Sequence, residues 1–195
     1  MKHGGQCQVR IIAGQWRGRR IHFPNVEQLR PTPDKIRETL FNWLHPVIAG
    51  AHCLDCYAGS GILGFEALSR GAASVVSFDS HRKTAAVLQG NAEKLQANHF
   101  QVICAKFPKQ CPDTLFERPF DIVFIDPPFF QGLAEKACHW LEEKRGFAAQ
   151  AWIYVEVEKR LQWQPPSNWQ CHRQTHYGEG LAFLFKRSEE EQHVG

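Results

Sequence analysis

Residues 52–69 read His52-Cys-Leu-Asp55-Cys-Tyr-Ala58-Gly59-Ser60-Gly61-Ile-Leu-Gly64-Phe-Glu-Ala-Leu-Ser69. The first part is a short apolar run that ends in an acid, the last part has helical spacing, and glycines stand at 59, 61 and 64 between them. Glycines in such a turn let backbone amides approach a ligand at the amino end of a helix, where the dipole favours negative charge. Further on, Asp79 closes the next apolar run, SVVSFD. A carboxylate there can accept from both hydroxyls of a ribose. A nucleoside site is therefore expected, with Asp55, Ala58, Gly59, Ser60, Gly61 and Asp79 as candidate contacts. The glycine pattern alone fits a nicotinamide dinucleotide as well as S-adenosylmethionine.

The alternation continues outward from this stretch. HCLDCY, SVVSFD, QVICAKF, FDIVFID and AWIYVEV are strand-like, separated by helical pieces such as KTAAVLQGNAEKLQA and GLAEKACHWLEEK. Repeated strand–helix–strand implies an α/β fold: a doubly wound, mainly parallel sheet of about seven strands with helices on both faces. The last two runs, CHRQTHY and LAFLFKR, flank Gly-Glu-Gly and predict a closing antiparallel hairpin. Upstream, Val9–Ala13 and Arg20–Phe23 flank GQWRG as a hairpin with Gly14 and Gly18 near its turn. RPTPDKIRETLFNWL then opens a helix, with Thr32 as cap, Pro33 in the first turn, Asp34 at the positive end of the dipole, and Ile36, Leu40, Trp43 and Leu44 on one face. The organisation predicted is a basic hairpin and helix over 1–45, a nucleoside-binding domain over 46–187 and a flexible tail over 188–195.

A chain of 195 residues with 43% hydrophobic and 22% charged residues has the composition of a folded domain rather than of a disordered one. Its net charge of +3 is too balanced for a polybasic scavenger. The distribution is uneven, because eight Lys/Arg face three Asp/Glu between Met1 and His45. MKHGGQCQVR lacks the apolar run of a secretion signal, and no stretch approaches the roughly 18 apolar residues of a membrane helix. A cytoplasmic protein without a membrane partner is expected. The seven cysteines are read as reduced thiols, with Cys53, Cys56 and Cys104 packed in apolar runs. Cys53-Leu-Asp-Cys56 has half the spacing of a zinc site and nothing completes it, and none of the ten histidines pairs with a nucleophile, so no metal is expected.

Asp126-Pro127-Pro128-Phe129, at the end of FDIVFID, separates the candidate cofactors. Paired prolines fix an extended turn and hold a carboxylate and a backbone carbonyl beside an aromatic ring. Those groups suit a planar group bearing an NH2: the ring stacks on it while the acceptors bind the amine hydrogens and aim its lone pair. An acid four positions before the first glycine, Asp55, has no use in a dinucleotide enzyme. Near the cationic amino-acid end of S-adenosyl-L-methionine it does.

Together, the Asp55–Gly64 loop and Asp126–Phe129 resemble the class I methyltransferases, Rossmann-like enzymes that modify exocyclic or amide nitrogens. Arg30-Pro-Thr-Pro-Asp-Lys-Ile-Arg-Glu-Thr-Leu-Phe-Asn42 and the upstream Arg10-Ile-Ile-Ala-Gly-Gln-Trp-Arg-Gly-Arg19 resemble the bacterial 16S ribosomal RNA guanine-N2 methyltransferase family, RsmD type. The resemblance spans about Val9 to Phe185. It implies methyl transfer from S-adenosylmethionine to a guanine amine of 16S ribosomal RNA, in an assembled small subunit or its precursor, by a monomer. It places Asp55, Gly59 and Gly61 at the methionine end of the cofactor, Asp79 on the ribose, and Asp126, Pro127, Pro128 and Phe129 on the target guanine. The family usually has Glu where Asp79 stands, and Lys106 occupies the place where an acceptor for the adenine amine is common. A lysine cannot accept that bond.

Arg10, Arg17, Arg19, Arg20, Arg30 and Arg37, interleaved with Trp16 and Phe23, are the expected RNA contacts: arginine suits phosphate, and a neighbouring aromatic can stack on an unpaired base. The competing readings are a methyltransferase for DNA adenine or protein glutamine, a nicotinamide oxidoreductase, and an RNA-binding module without catalysis.

Overall fold

The computed structural model describes residues 6–25 and 31–188. Strands β1 (Gln6–Arg10) and β2 (Arg20–Pro24) form an antiparallel ribbon, followed by α1 (Asp34–Leu44). The main unit then runs β3 (His52–Asp55), α2 (Ile62–Ser69), β4 (Ser74–Asp79), α3 (Arg82–Leu95), β5 (Phe100–Cys104), β6 (Phe120–Ile125), α4 (Leu133–Glu143), β7 (Phe147–Glu158), β8 (Trp169–Tyr177) and β9 (Gly180–Arg187). These strands make one seven-stranded sheet in the order β5-β4-β3-β6-β7-β9-β8. Every pair from β5 to β7 is parallel, and β9 runs antiparallel between β7 and β8.

Side chains alternate across the sheet, and both faces are covered. Cys53, Val75, Ile122, Phe124 and Tyr154 join one buried cluster with the apolar stripes of α1, α2 and α3. Leu54, Phe78, Val123, Ile125, Ile153 and Val155 join a second cluster with α4. Two-sided burial explains why the parallel strands read as continuous apolar runs. Gly64 makes the close approach of α2 to the sheet possible: a Cβ there would sit 2.9 Å from Phe100 and 3.0 Å from Val75.

The chain winds from β3 outward to β5, then returns to the other flank of β3 as β6. That reversal is a switch point at the carboxyl ends of β3 and β6, the place where open α/β sheets bind ligands.

Several expectations change in detail. The first strand stops at Arg10 rather than Ala13, because the Ile12 and Ala13 N–H groups turn to the Glu66 carboxylate at 2.8 and 3.0 Å. Helix α1 has Pro33 at its N-cap without a capping side chain. Thr32, expected as the cap, instead sends its hydroxyl to Asp126, 94 residues away. Phe41 joins Leu40 and Leu44 in the core, while Trp43 is half-buried against it. Cys104 is exposed rather than packed, because β5 is the edge strand. Of the expected tail, Ser188 bonds the Asn168 carbonyl through both N–H and hydroxyl, and 189–195 lie outside the described residues. Among the described residues no helix is long and apolar enough to cross a membrane.

Candidate active site

Three acids stand at the carboxyl ends of adjacent parallel strands: Asp55 ends β3, Asp79 ends β4 and Asp126 follows β6. The sheet thus gathers residues scattered over 72 positions of sequence.

The glycine loop bridges β3 and α2. Gly59 and Gly61 both have positive φ, 51° and 75°, which glycine adopts without steric cost. The loop is fixed from both sides, as Cys56 N–H donates to the Phe124 carbonyl at 3.0 Å and Ala58 N–H to the Phe78 carbonyl at 2.7 Å. Ser60 is buried, and its Oγ accepts from Ile62 N–H at the start of α2. Asp79 Oδ2 accepts from Gly59 N–H at 3.2 Å, and Oδ1 accepts from His81 N–H at 2.8 Å. Asp79 therefore holds the loop itself, a role that its position in the sequence did not announce.

Asp55 is 1% exposed, and neither carboxylate oxygen has a hydrogen-bond partner among the described residues. Burial pushes its pKa up to about 8. The neighbouring Asp126 charge adds to the shift, and the backbone N–H groups of Tyr57 and Gly64, which fall short of hydrogen-bond geometry, partly offset it. The thiols of Cys53 and Cys56, buried on either side, are likewise pushed far up by desolvation.

Asp126 is half-buried. Its Oδ2 accepts from the Thr32 hydroxyl at 3.3 Å, and burial raises its pKa to about 7 against that hydrogen bond. Behind it lies Glu156, fully buried, whose carboxyl burial and the Asp126 charge hold well above the usual range. Phe129 is half-buried and leans on β9, where a Cβ added at Gly180 would come 3.2 Å from its ring. Phe130 follows with a positive φ of 62°, its N–H bonded by the Glu158 carboxylate, and its side chain is 82% exposed. An exposed phenylalanine on a left-handed backbone beside the turn is a feature that the alternation of apolar runs does not signal.

The arginines divide. Arg17, Arg19 and Arg20 are exposed on the hairpin, with long contacts of 3.4 Å from Arg19 to the Lys94 carbonyl and from Arg20 to Gln8. Arg10 is exposed and pairs with Asp34 at 3.4 Å. Arg37, expected at the RNA face, is instead 0% exposed. Its guanidinium donates to the Thr32 and Arg10 carbonyls, each at 3.0 Å, pairs with Asp34 and faces Glu66 at 3.6 Å. Each of its three nitrogens is engaged inside the fold and none of the side chain is exposed, so it does not reach a phosphate. Arg30 lies outside the described residues. Lys106 is exposed and its N–H donates to Gln110 Oε1 at 2.9 Å, so neither its side chain nor its N–H accepts from an adenine amine. Among the described residues no group of three or more His, Cys, Asp or Glu is arranged to hold a metal ion.

The family described as Conserved hypothetical protein 95 matches residues 9–186. Ribosomal RNA small subunit methyltransferase D of Escherichia coli strain K12 is 44% identical over 189 residues, covering 95% of this chain and 93% of that protein. The protein of the same name from Haemophilus influenzae is 45% identical over 167 residues, covering 83% and 85%. Among solved structures, a putative methyltransferase, yhhF, from Escherichia coli superposes with a TM-score of 0.81 at 42% identity, over 94% of this chain and 100% of that one. With near end-to-end coverage and identity above 40%, the chain belongs to the ribosomal RNA small subunit methyltransferase D family.

Proposed function

We propose that this chain transfers a methyl group from S-adenosyl-L-methionine to the exocyclic N2 amine of a guanine in 16S ribosomal RNA. The observation that carries the reading is a meeting of two motifs: the Asp55–Gly61 loop and the Asp126–Phe129 turn end the hydrogen-bonded parallel strands β3 and β6. A glycine loop alone serves many nucleotides. Paired with an amine-binding turn, it serves methyl transfer to nitrogen. Membership of the family supports the same reading.

The residues present fit the cofactor. Asp55 offers two buried oxygens without donors, which an ammonium group satisfies. Each oxygen of Asp79 keeps a lone pair after bonding Gly59 and His81, enough for two ribose hydroxyls. When bound, S-adenosylmethionine supplies an electrophilic methyl group on a sulfonium.

The rest is the work of side chains. Asp126 and the carbonyl of the Pro127–Pro128 turn accept the hydrogens of the guanine amine and draw its lone pair out of conjugation with the ring. Phe129 stacks on the base, with Gly180 behind its ring. No strong base is required before attack, since the amine proton becomes acidic only as the new bond forms; positioning does most of the catalysis. Arg17, Arg19 and Arg20 neutralise phosphates. The finer elements of the proposal are a substrate in the form of the assembled small subunit or its precursor, a monomeric enzyme and a cytoplasmic location.

The test is a competition for methyl groups from labelled S-adenosylmethionine among 16S ribosomal RNA, duplex DNA containing adenine, and a glutamine peptide. Label entering RNA alone is expected. Label entering DNA or peptide in preference would transfer the reading to another class of N-methyltransferase.

A further inference from the structure

Asp126 does not stand by itself. Thr32, 5% exposed, places its hydroxyl 3.3 Å from Asp126 Oδ2 and 3.4 Å from Glu156 Oε1. Glu156 is 0% exposed, its Oε1 accepts from the Tyr154 hydroxyl at 2.7 Å, and its Oε2 has no partner among the described residues. The backbone of Thr32 is held in turn by the buried Arg37, which donates from Nε to the Thr32 carbonyl at 3.0 Å. Arg37 also faces Glu66 on α2, so the helix that begins at the glycine loop is linked to Thr32 through one guanidinium.

Resting on the reading of Asp126 as the acceptor for the target amine, we infer that Thr32 and Glu156 are positioning residues. They tie Oδ2 of Asp126 from behind and leave Oδ1 to the substrate. A hydroxyl has a single hydrogen to give. With both carboxylates ionised, the Tyr154 hydrogen serves Glu156 and the Thr32 hydrogen can serve only one of the two acids, so either Asp126 loses its donor or no hydrogen lies between Thr32 Oγ and Glu156 Oε1, and no Lys or Arg contacts Glu156 among the described residues. The titratable groups facing Glu156 are Asp126 and Tyr154, and Asp126 in turn neighbours Asp55. None supplies a positive charge. A neutral Glu156 resolves the conflict: its O–H donates to Thr32 Oγ, the Thr32 O–H donates to Asp126 Oδ2, and the Tyr154 O–H donates to Glu156. Every hydrogen then points toward the one carboxylate that remains ionised. Oδ1 of Asp126 has no partner among the described residues. A carboxylate bonded at one oxygen cannot swing, so its free oxygen is presented in one direction.

Four variants test this: Thr32→Val, Thr32→Ser, Glu156→Gln and Glu156→Leu. The readouts are single-turnover methyl transfer to small ribosomal subunits across pH, with cofactor affinity by calorimetry. Thr32→Val is expected to slow the chemical step about tenfold or more while KM for RNA and cofactor affinity stay within about twofold. It should also move the acid limb of the pH profile upward, because the lost hydrogen bond had favoured the ionised form of Asp126. Thr32→Ser restores both. Glu156→Gln, with its amide Nε2 in the place of Oε1, still donates to Thr32 Oγ and can donate to the Tyr154 oxygen, and is expected to stay within about threefold of wild type, while Glu156→Leu falls with Thr32→Val. A normal rate and pH profile in Thr32→Val would overturn the inference, as would a Glu156→Gln variant as slow as Glu156→Leu. Should Thr32→Val fail to fold, the Gln–Leu comparison at 156 decides alone. If wild type transfers no methyl group to RNA, or Asp126→Ala retains the normal rate, the reading of the site fails; if those two behave as expected and Thr32→Val is normal, only this inference fails.

Discussion

Asp126 is asked to stay ionised in a half-buried turn beside two other acids, and burial works against it by raising its pKa to about 7. An acceptor role needs the ionised form, so the single-turnover rate should rise with pH through about 7 and level off above it. Asp126→Ala should remove the step itself, lowering kcat by about 100-fold or more with binding of RNA and cofactor little changed. Equal losses in affinity and rate, seen by calorimetry beside stopped-time assays, would contradict that role. Asp55 presents the opposite case, a buried acid whose ionisation the free protein does not compensate. Its raised pKa of about 8 means that it contributes stability in the protonated form, full below about 4 and lost as pH climbs toward 8. Asp55→Asn should therefore raise the Tm of the free protein at pH 8, by at least about 1 kcal/mol in stability, while weakening cofactor binding strongly. Thermal melts at pH 5 and pH 8, with and without cofactor, read both effects. The three acids were legible in sequence because each closes an apolar run, and strand ends in a parallel sheet converge on one edge. Arg37 was not legible from charge alone. Its signal lay in spacing, since positions 37, 40, 41 and 44 form one helical stripe and the other three are apolar.

At the level of elements, two pieces outside the glycine loop shape the site. Strand β9 supports Phe129 through Gly180, which lacks a positive φ and so could carry an alanine without backbone strain. The added methyl would press on the Phe129 and Tyr177 rings at 3.2 Å and displace the stacking surface. Gly180→Ala is expected to raise KM for RNA several-fold with kcat less affected. Phe129→Ala should cost about 1 to 3 kcal/mol in the same parameter, and an unchanged KM in both would make that ring a packing residue. On the proposed reading, the β1–β2 ribbon shapes the approach of RNA. Replacing Arg17, Arg19 and Arg20 together by Ala should flatten the slope of log affinity against log salt by about two to three, leaving cofactor affinity untouched. An identical slope would assign these arginines to solvent. That ribbon was legible as a hairpin from its glycines, yet its docking was not. Gly14 packs so closely on α2 that a Cβ would lie 1.8 Å from the Ser69 carbonyl oxygen, and Glu66 fixes the Ile12 and Ala13 amides. Contacts across more than 50 residues leave no local pattern to read.

Across the whole molecule, one line of polar contacts runs from the hairpin through Glu66 and Arg37 to Thr32 and Asp126. On the reading proposed above, the amino-terminal segment does more than carry charge: it completes the target side of a site whose cofactor side is built by the sheet. The nature of the modified nucleoside tests this account most directly. Small ribosomal subunits lacking the modification are incubated with labelled S-adenosylmethionine and the protein, the RNA is digested to nucleosides, and the labelled product is identified by mass spectrometry. The account predicts that the label appears in N2-methylguanosine and disappears with Asp126→Ala. Label in a ring-nitrogen or ribose-methylated nucleoside, or an Asp126→Ala variant that labels N2-methylguanosine at the normal rate, would contradict it.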